Sequence, residues 1–433
     1  MFTIPLPIVS MIKERIEVMK KKPFHFLWIG QSFANFGDVF YIVSVVSCLY
    51  HLTSKAMAAA LVPFFVTLSL FISGIVAPIF FEKYKLKTLL SYGQLCKTFL
   101  LLFLSLFLQW GAEHHIAIVY VFVSLIAFLD GINNPIKNSL VPFIVSKEEI
   151  LKANSFLNTL DQFIKLSAWP IGSLIVSAGS PFLLIHITLL FYIVSSILMF
   201  LLPIQEHTKK NTVQDKGLKN FLLSIRLGWE YTWRNVHAKS ISFMSFFEGI
   251  GNGVWISAIL YMYVKEQLHV GEEWWGYINS VFFGGMVIGG LLSVKFSQSV
   301  EKNQQFFVLF GPFCIAIVTL LFGTTTHGAL ALLYSALYGI IEQWKLICLQ
   351  TILQKNARMD ALPHVFAVQG VISSVTFGIS TLLMSFIADV YGIRFSFYLS
   401  VCCFLISGWI SYRQRKIWSY KENHIAIKLR KQE

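Results

Sequence analysis

The chain has 433 residues, 56 % of them hydrophobic and 13 % charged, with 40 Phe and a formal net charge of +13. Soluble domains carry roughly 25 % charged residues, so the composition excludes an ordinary soluble enzyme or binding module. Apolar runs of about 20 residues recur along the chain, the length a helix needs to cross a bilayer, and they exclude a β-barrel, whose strands would show alternating segments of about ten residues.

Residues 1–24 begin with an apolar stretch and end in a basic one, the reverse of a signal peptide's order, and no small-residue cleavage site follows. They are expected to be a retained cytoplasmic tail. Six apolar runs come next, at residues 25–50, 57–81, 88–110, 115–136, 154–177 and 182–203. Together they define a first bundle over 25–203. Residues 204–239 form the long polar gap. Within it "KGLKNFLLSIRLGWEYTWRN" (216–235) sets Leu, Ile and Trp at helical spacing between basic residues, the pattern of an amphipathic helix lying along the inner membrane surface and tethering the two halves.

Six further runs, at 240–264, 274–296, 305–326, 328–352, 365–388 and 392–412, define a second bundle over 240–412, and 413–433 is a tail. The expected fold is an all-α membrane protein of twelve transmembrane helices in two six-helix bundles. Of the 35 Lys and Arg, only Lys55, Lys265 and Arg394 fall in the loops opposite the N-terminus, and Lys97, Lys165 and Lys345 fall inside spans. The positive-inside rule then places both termini in the cytoplasm. Topology accounts for the basic surplus, so no nucleic-acid partner is expected. All six cysteines lie within spans and none has a metal-type spacing, so neither disulfides nor zinc are indicated. No Gly-x-Ser-x-Gly, His-Glu-x-x-His or phosphate-loop spacing occurs, which argues against an enzyme.

Ionisable residues inside a bilayer cost about 2.5–3.5 kcal/mol each on insertion scales, so they mark candidate functional groups: Asp38, Lys97, Asp130, Asp161, Lys165, Glu248, Glu342 and Lys345. Asp161 and Lys165 are at i, i+4 and Glu342 and Lys345 at i, i+3, spacings that put each pair on one helix face. Either pair can be a self-neutralising packing device. Offsetting the chain by 212 residues sets Ser373 against Asp161 and Phe377 against Lys165, so the fifth-span pair lacks a counterpart, which favours a functional role for it. Asp38 stands midway along the first span without a partner in sequence. A carboxylate there can take a proton from one face and release it to the other. Lys97 and Lys165 are both available to salt-bridge Asp38 or Asp161, and the sequence leaves that choice open. Glu248 sits among Gly249, Gly251 and Gly253, where a bent backbone can line a pathway.

The stretch "FLDGINNPIKNSLVPFIVSKEEILKANSFLNTL" (128–160) carries Pro135, Pro142, Glu148, Leu151, Ala153 and Asn154, and "GQSFANFGDVFYIV" carries Gly30, Gln31, Gly37 and Asp38. On these residues the chain resembles the major facilitator superfamily and, within it, the drug:proton antiporters that include macrolide-efflux and enterobactin-export proteins. The loop after the second span, with Gly74, Glu82, Lys83, Lys85 and Lys87, is similar to the superfamily's gating loop, with Glu for Asp and Lys for Arg. Lys lacks the bidentate fork of Arg, so a latch built from it is geometrically looser. Trp169, Pro170 and Gly172 keep the Pro and Gly of an antiporter motif whose first Gly is replaced by Trp.

The resemblance implies a monomeric transporter of a bacterial cytoplasmic membrane whose bundles rock about a midplane site. It would need no cofactor, the proton gradient being its energy source, and its partners would be protons, the lipid bilayer and a small-molecule substrate. The expected activity is efflux of a hydrophobic or amphipathic compound: a drug, a macrolide or a siderophore-like molecule. Proton coupling falls to Asp38, Asp161, Lys165, Glu248, Glu342 and Lys345. An aromatic cavity is expected, with Gln31, Phe40, Tyr41, Trp169, Phe247, Trp255 and Trp344 as its candidate lining. The alternative is a lipid or siderophore mover that runs on its substrate's own gradient. A membrane-embedded enzyme or sensor has no motif in its favour.

Overall fold

A computed structural model describes residues 22–53, 56–110, 115–204, 217–255, 257–271 and 273–418. Most of the expected tails, 1–21 and 419–433, and part of the polar gap, 205–216, lie outside the described residues. Six long helices precede the gap: α1 (Lys22–Thr53), α2 (Ala56–Lys83), α3 (Leu86–Trp110), α4 (Ile116–Ile144), α5 (Ile150–Ala178) and α6 (Pro181–Phe200). Six follow it: α7 (Val236–Gly251), α8 (Glu273–Lys295), α9 (Gln304–Thr324), α10 (Gly328–Asn356), α11 (Leu362–Tyr391) and α12 (Ile393–Arg413). The expected all-helical, twelve-span architecture is what the chain adopts.

Among the described residues, nine helices are long and apolar enough to cross a membrane unaided, and α7 with its bent continuation makes a tenth. That continuation runs through a 3-10 turn, Asn252–Trp255, and the helix Ser257–Tyr263, with a bend of 48°. The two that fall short on apolarity are α5 and α10, each of 29 residues, which at 1.5 Å per residue is ample to span. They are too polar because they carry Asn154, Asn158, Asp161 and Lys165, and Glu342, Lys345, Gln350 and Gln354. Such helices survive in a bilayer only where these side chains face protein or an aqueous cavity. The packing supplies that shelter: α5 lies against α8 and α10, at the seam between the bundles.

Within the first bundle α1 packs on α5 and α6, α2 on α4, and α3 on α4 and α6. In the second, α8 packs on α10, α9 on α10 and α12, and α7 on α11 and α12. The bundles meet through α5 with α8 and α10, and through α2 and α4 with α11. In hydrocarbon, helices associate through close van der Waals contact, which small residues permit. At Gly339 of α10 an added Cβ would overlap the Phe282 carbonyl oxygen, and at Gly285 of α8 it would overlap that of Ala336. Backbone cannot yield as a flexible side chain can. Gly339→Val is therefore expected to cost at least about 1–3 kcal/mol by overpacking, read as a lowered unfolding temperature of the detergent-solubilised protein. Gly284 is the control: its Cβ position faces open space, so Gly284→Val should escape that loss.

A further helix, Gly217–Arg234, occupies the second half of the polar gap. Its Gly228 packs on Pro78 of α2 and His364 of α11, and the Tyr231 and His364 rings lie 5.8 Å apart. It thus touches both bundles. Asn235 then starts α7, its side chain accepting from the Ala238 N–H at 2.9 Å as an N-cap.

Candidate functional site

Each bundle holds one buried lysine between two carboxylates. In the first, the Lys97 ammonium of α3 donates to Asp38 of α1 at 2.6 Å and also to Asp130 of α4. Lys97 is 1 % exposed. Tyr192 of α6 donates its hydroxyl to the same Asp38 oxygen at 2.6 Å, and the ammonium stands 4.8 Å from the Tyr192 ring centre. Gly37 makes this possible: a Cβ there would overlap the Tyr192 ring, so the Gly-Asp pair admits the ring and presents the acid to it.

In the second bundle, Lys345 of α10 donates to Glu248 of α7 at 2.8 Å and to Glu342 at 2.6 Å. Ser407 of α12 donates to the other Glu248 oxygen at 2.6 Å. Glu342 follows Asp130 by the same 212 positions that relate the two halves, and Glu248 follows Asp38 by 210. The acids are thus duplicated while the ammonium comes from α3 in one half and α10 in the other. Each cluster sets two carboxylates against one ammonium, leaving an uncompensated negative charge that one proton cancels. Holding such a cluster in low dielectric demands full hydrogen bonding, which Tyr192 and Ser407 help to provide.

Asp161 and Lys165 form their expected i, i+4 pair at 3.0 Å, with Asn35 of α1 donating to the other Asp161 oxygen at 2.8 Å. Lys165 is 46 % exposed, so this pair is far less enclosed by protein than the two buried clusters. Asp161 lines a cavity of about 580 Å³ between the bundles, together with Lys137, Asn138, Asn158, Gln350, Glu248 and Glu342. The cavity is closed at the end that carries the basic loops. Here Asn154 donates to Thr351 at 2.9 Å and to Gln354 at 2.7 Å, Asn158 donates to Gln350 at 2.8 Å, and Gln354 donates to the Asn138 carbonyl at 2.7 Å. Ser155 and Ser293 share a further bond at 2.7 Å. This lattice of uncharged amides and hydroxyls joins α4 and α5 to α8 and α10.

The expected aromatic lining differs from the observed wall, where Phe366 is the one aromatic among the described residues. Phe40 and Tyr41 are 2 % and 1 % exposed and serve helix packing. Trp255 stacks among Phe282, Phe322 and Tyr338. Trp344 donates to the Gly289 carbonyl at 2.7 Å, clamping α10 to α8. Phe247 stacks edge-on with Phe246, and Trp169 is exposed on the half of α5 remote from the closed end. Gln31 stands in a small recess beside Asp161, with Asn35, Asn138 and Asn158. The physical reason is that rings solvate well in lipid and in packed cores, leaving the polar seam to amides and charges.

Gly74 lies at the α2–α11 contact, where its Cβ position is 2.7 Å from Val371. Glu82 and Lys83 end α2, Lys85 occupies the turn and Lys87 begins α3, all at the closed end. Sequence reasoning missed Lys137 and, apart from Gln31 and Asn154, the amides. Their signal was a helical polar stripe: Asn134, Lys137 and Asn138 on α4, Asn154, Asn158 and Asp161 on α5, Gln350 and Gln354 on α10.

The comparisons agree with this geometry. The model of the Major Facilitator Superfamily matches residues 27–381. The uncharacterised MFS-type transporter YfmI of Bacillus subtilis (strain 168) is 26 % identical, aligned over 94 % of this chain and 100 % of its own, and YjbB of the same organism is 23 % identical over 92 % and 97 %. Among solved structures, a bacterial homologue of the iron transporter ferroportin in an outward-facing state superposes with a TM-score of 0.71 at 14 % identity, covering 92 % of this chain and 99 % of that one. The human organic anion transporter MFSD10 gives 0.72 at 9 % identity, covering 90 % and 99 %. At such identities the likeness speaks for the fold. Twelve helices in two bundles around a polar cavity, matched over most of their length by the family model, make this chain a member of the Major Facilitator Superfamily, a multi-pass secondary transporter of the cell membrane.

Proposed function

We propose that the protein is a proton-coupled exporter of an amphipathic small molecule, working by alternating access with its basic loops and both termini in the cytoplasm. The observation that carries this reading is the Asp38–Lys97–Asp130 cluster, in which a buried ammonium faces two carboxylates. The cluster holds one negative charge more than it can pair, and a proton taken from outside cancels it. Protonation loosens the grip on Lys97 and so changes the packing among α1, α3, α4 and α6. The drug:proton antiporter resemblance supplies the direction. The polar wall of the cavity favours, among amphipathic compounds, those rich in hydrogen-bonding groups over purely hydrophobic ones.

The test uses inverted membrane vesicles and a panel of amphipathic dyes and antibiotics, with a deletion strain screened against the same panel. Uptake into the vesicles is expected to collapse when a protonophore is added. Asp38→Asn keeps the Lys97 bridge to Asp130 but removes the surplus charge, so it is expected to insert normally and lose the response to the pH gradient. Transport that persists unchanged under both treatments overturns the proposal in favour of a carrier driven by its substrate's own gradient.

A further inference from the structure

The two walls of the central cavity present charges of opposite sign. On the first bundle's wall, Asp161 is held by Lys165 and Asn35, while Lys137, one turn from Asn134 on α4, lines the cavity within Coulombic reach of Asp161 and Asp130 but in no salt bridge among the described residues. On the second bundle's wall, Glu248 and Glu342 share the single ammonium of Lys345. The lining thus presents a cation outside any salt bridge on one side of the cavity, and two carboxylates on one ammonium on the other. Between them stand amides, Asn138, Asn158, Gln350 and Gln369, and the Gln369 side-chain nitrogen is buried without a hydrogen-bond partner.

We infer that the transported molecule is a zwitterion bearing amide or hydroxyl groups, its anionic end set against Lys137 and its ammonium against Glu342 and Glu248. This deepens the exporter reading and rests on it, naming the substrate class of the same cavity. A singly charged molecule satisfies one wall and is repelled by the wall of like sign, whereas a dipole aligned with the two walls satisfies both. A volume of about 580 Å³ lies in the range of small-molecule sites, roughly 300–1,000 Å³, and suits a compound the size of a short peptide. The substrate's ammonium then meets Glu342 and Glu248, carboxylates separate from the Asp38–Lys97–Asp130 cluster that takes the proton.

The test is binding to the full-length protein in lipid nanodiscs, followed by thermal unfolding and by tryptophan fluorescence, with three probes on one skeleton: trialanine, its methyl ester and its N-acetyl derivative. Trialanine is zwitterionic, the ester only cationic and the acetyl form only anionic. Saturable binding of trialanine is expected, with both capped forms weaker by about tenfold or more. Lys137→Gln is expected to lower trialanine affinity to that of the ester, and Glu342→Gln to that of the acetyl form. Equal binding of all three probes, or saturable binding of none, overturns the inference. Proton-coupled dye export by the wild-type protein that trialanine does not inhibit leaves the exporter reading standing and sinks this one. The charge pattern in binding without any proton coupling does the reverse.

Discussion

Lys97→Met is expected to be among the most damaging single substitutions in the first bundle. The lysine is 1 % exposed and its ammonium is held by Asp38 and Asp130. Removing one partner of a buried ion pair costs about 3–5 kcal/mol, because the remaining charge stays buried and uncompensated, and here two carboxylates remain. The expected result is a marked fall in membrane yield and in the unfolding temperature of the purified protein. Asp38→Asn/Lys97→Met restores the net charge of the native cluster and should recover much of the loss. Lys165→Met offers the contrast, since its partner is on the same helix and it is 46 % exposed; exposed pairs contribute about 0–1 kcal/mol. If Lys97→Met unfolds at the wild-type temperature, the cluster contributes nothing to the fold and its coupling role loses its basis.

How much of this was legible in the sequence follows from which features are local. A run of 20 apolar residues announces a span with no reference to any partner, so the twelve helices and the long gap after the sixth could be read directly. The Asp161–Lys165 and Glu342–Lys345 pairs were legible for the same reason, being one turn apart on a single helix. The Asp38–Lys97–Asp130 cluster was not, because Lys97 finds its partners 59 and 33 positions away, and only packing decides that Lys97, and not Lys165, meets Asp38. The apolar criterion also misleads at one end: it closes the fourth span at residue 136, whereas α4 runs to Ile144. The polar residues that end the run, Lys137 and Asn138, are polar because they face the cavity. The same bias assigns aromatic residues to the cavity, since abundance in the sequence says nothing of which face of a helix is wet.

Asn154→Leu is the second substitution expected to act strongly, and its effect falls on conformation. Asn154 is fully buried and donates to Thr351 and Gln354 across the seam. Gln354 in turn donates to the Asn138 carbonyl, so one side chain anchors three helices. Leu keeps the volume but leaves the Gln354 oxygen without its donor, at a cost of about 1–3 kcal/mol for a buried unsatisfied group. That penalty applies to the state closed at the basic end, and it is relieved when the seam opens and water reaches the amides. Since 1.4 kcal/mol is a factor of about ten in an equilibrium, the population open at that end should rise several-fold or more. Spin labels on Lys85→Cys and Arg358→Cys, in a protein whose native cysteines are replaced by Ser, report the separation of the bundles there by pulsed electron resonance. The Asn154→Leu protein is expected to gain a longer-distance component, and its closed state should be recovered by Asn154→Gln if the longer amide still reaches. A distance distribution identical to the wild type would mean that the helix packing of α2 on α11 and α5 on α8 holds the seam by itself, and that the amides merely fill it.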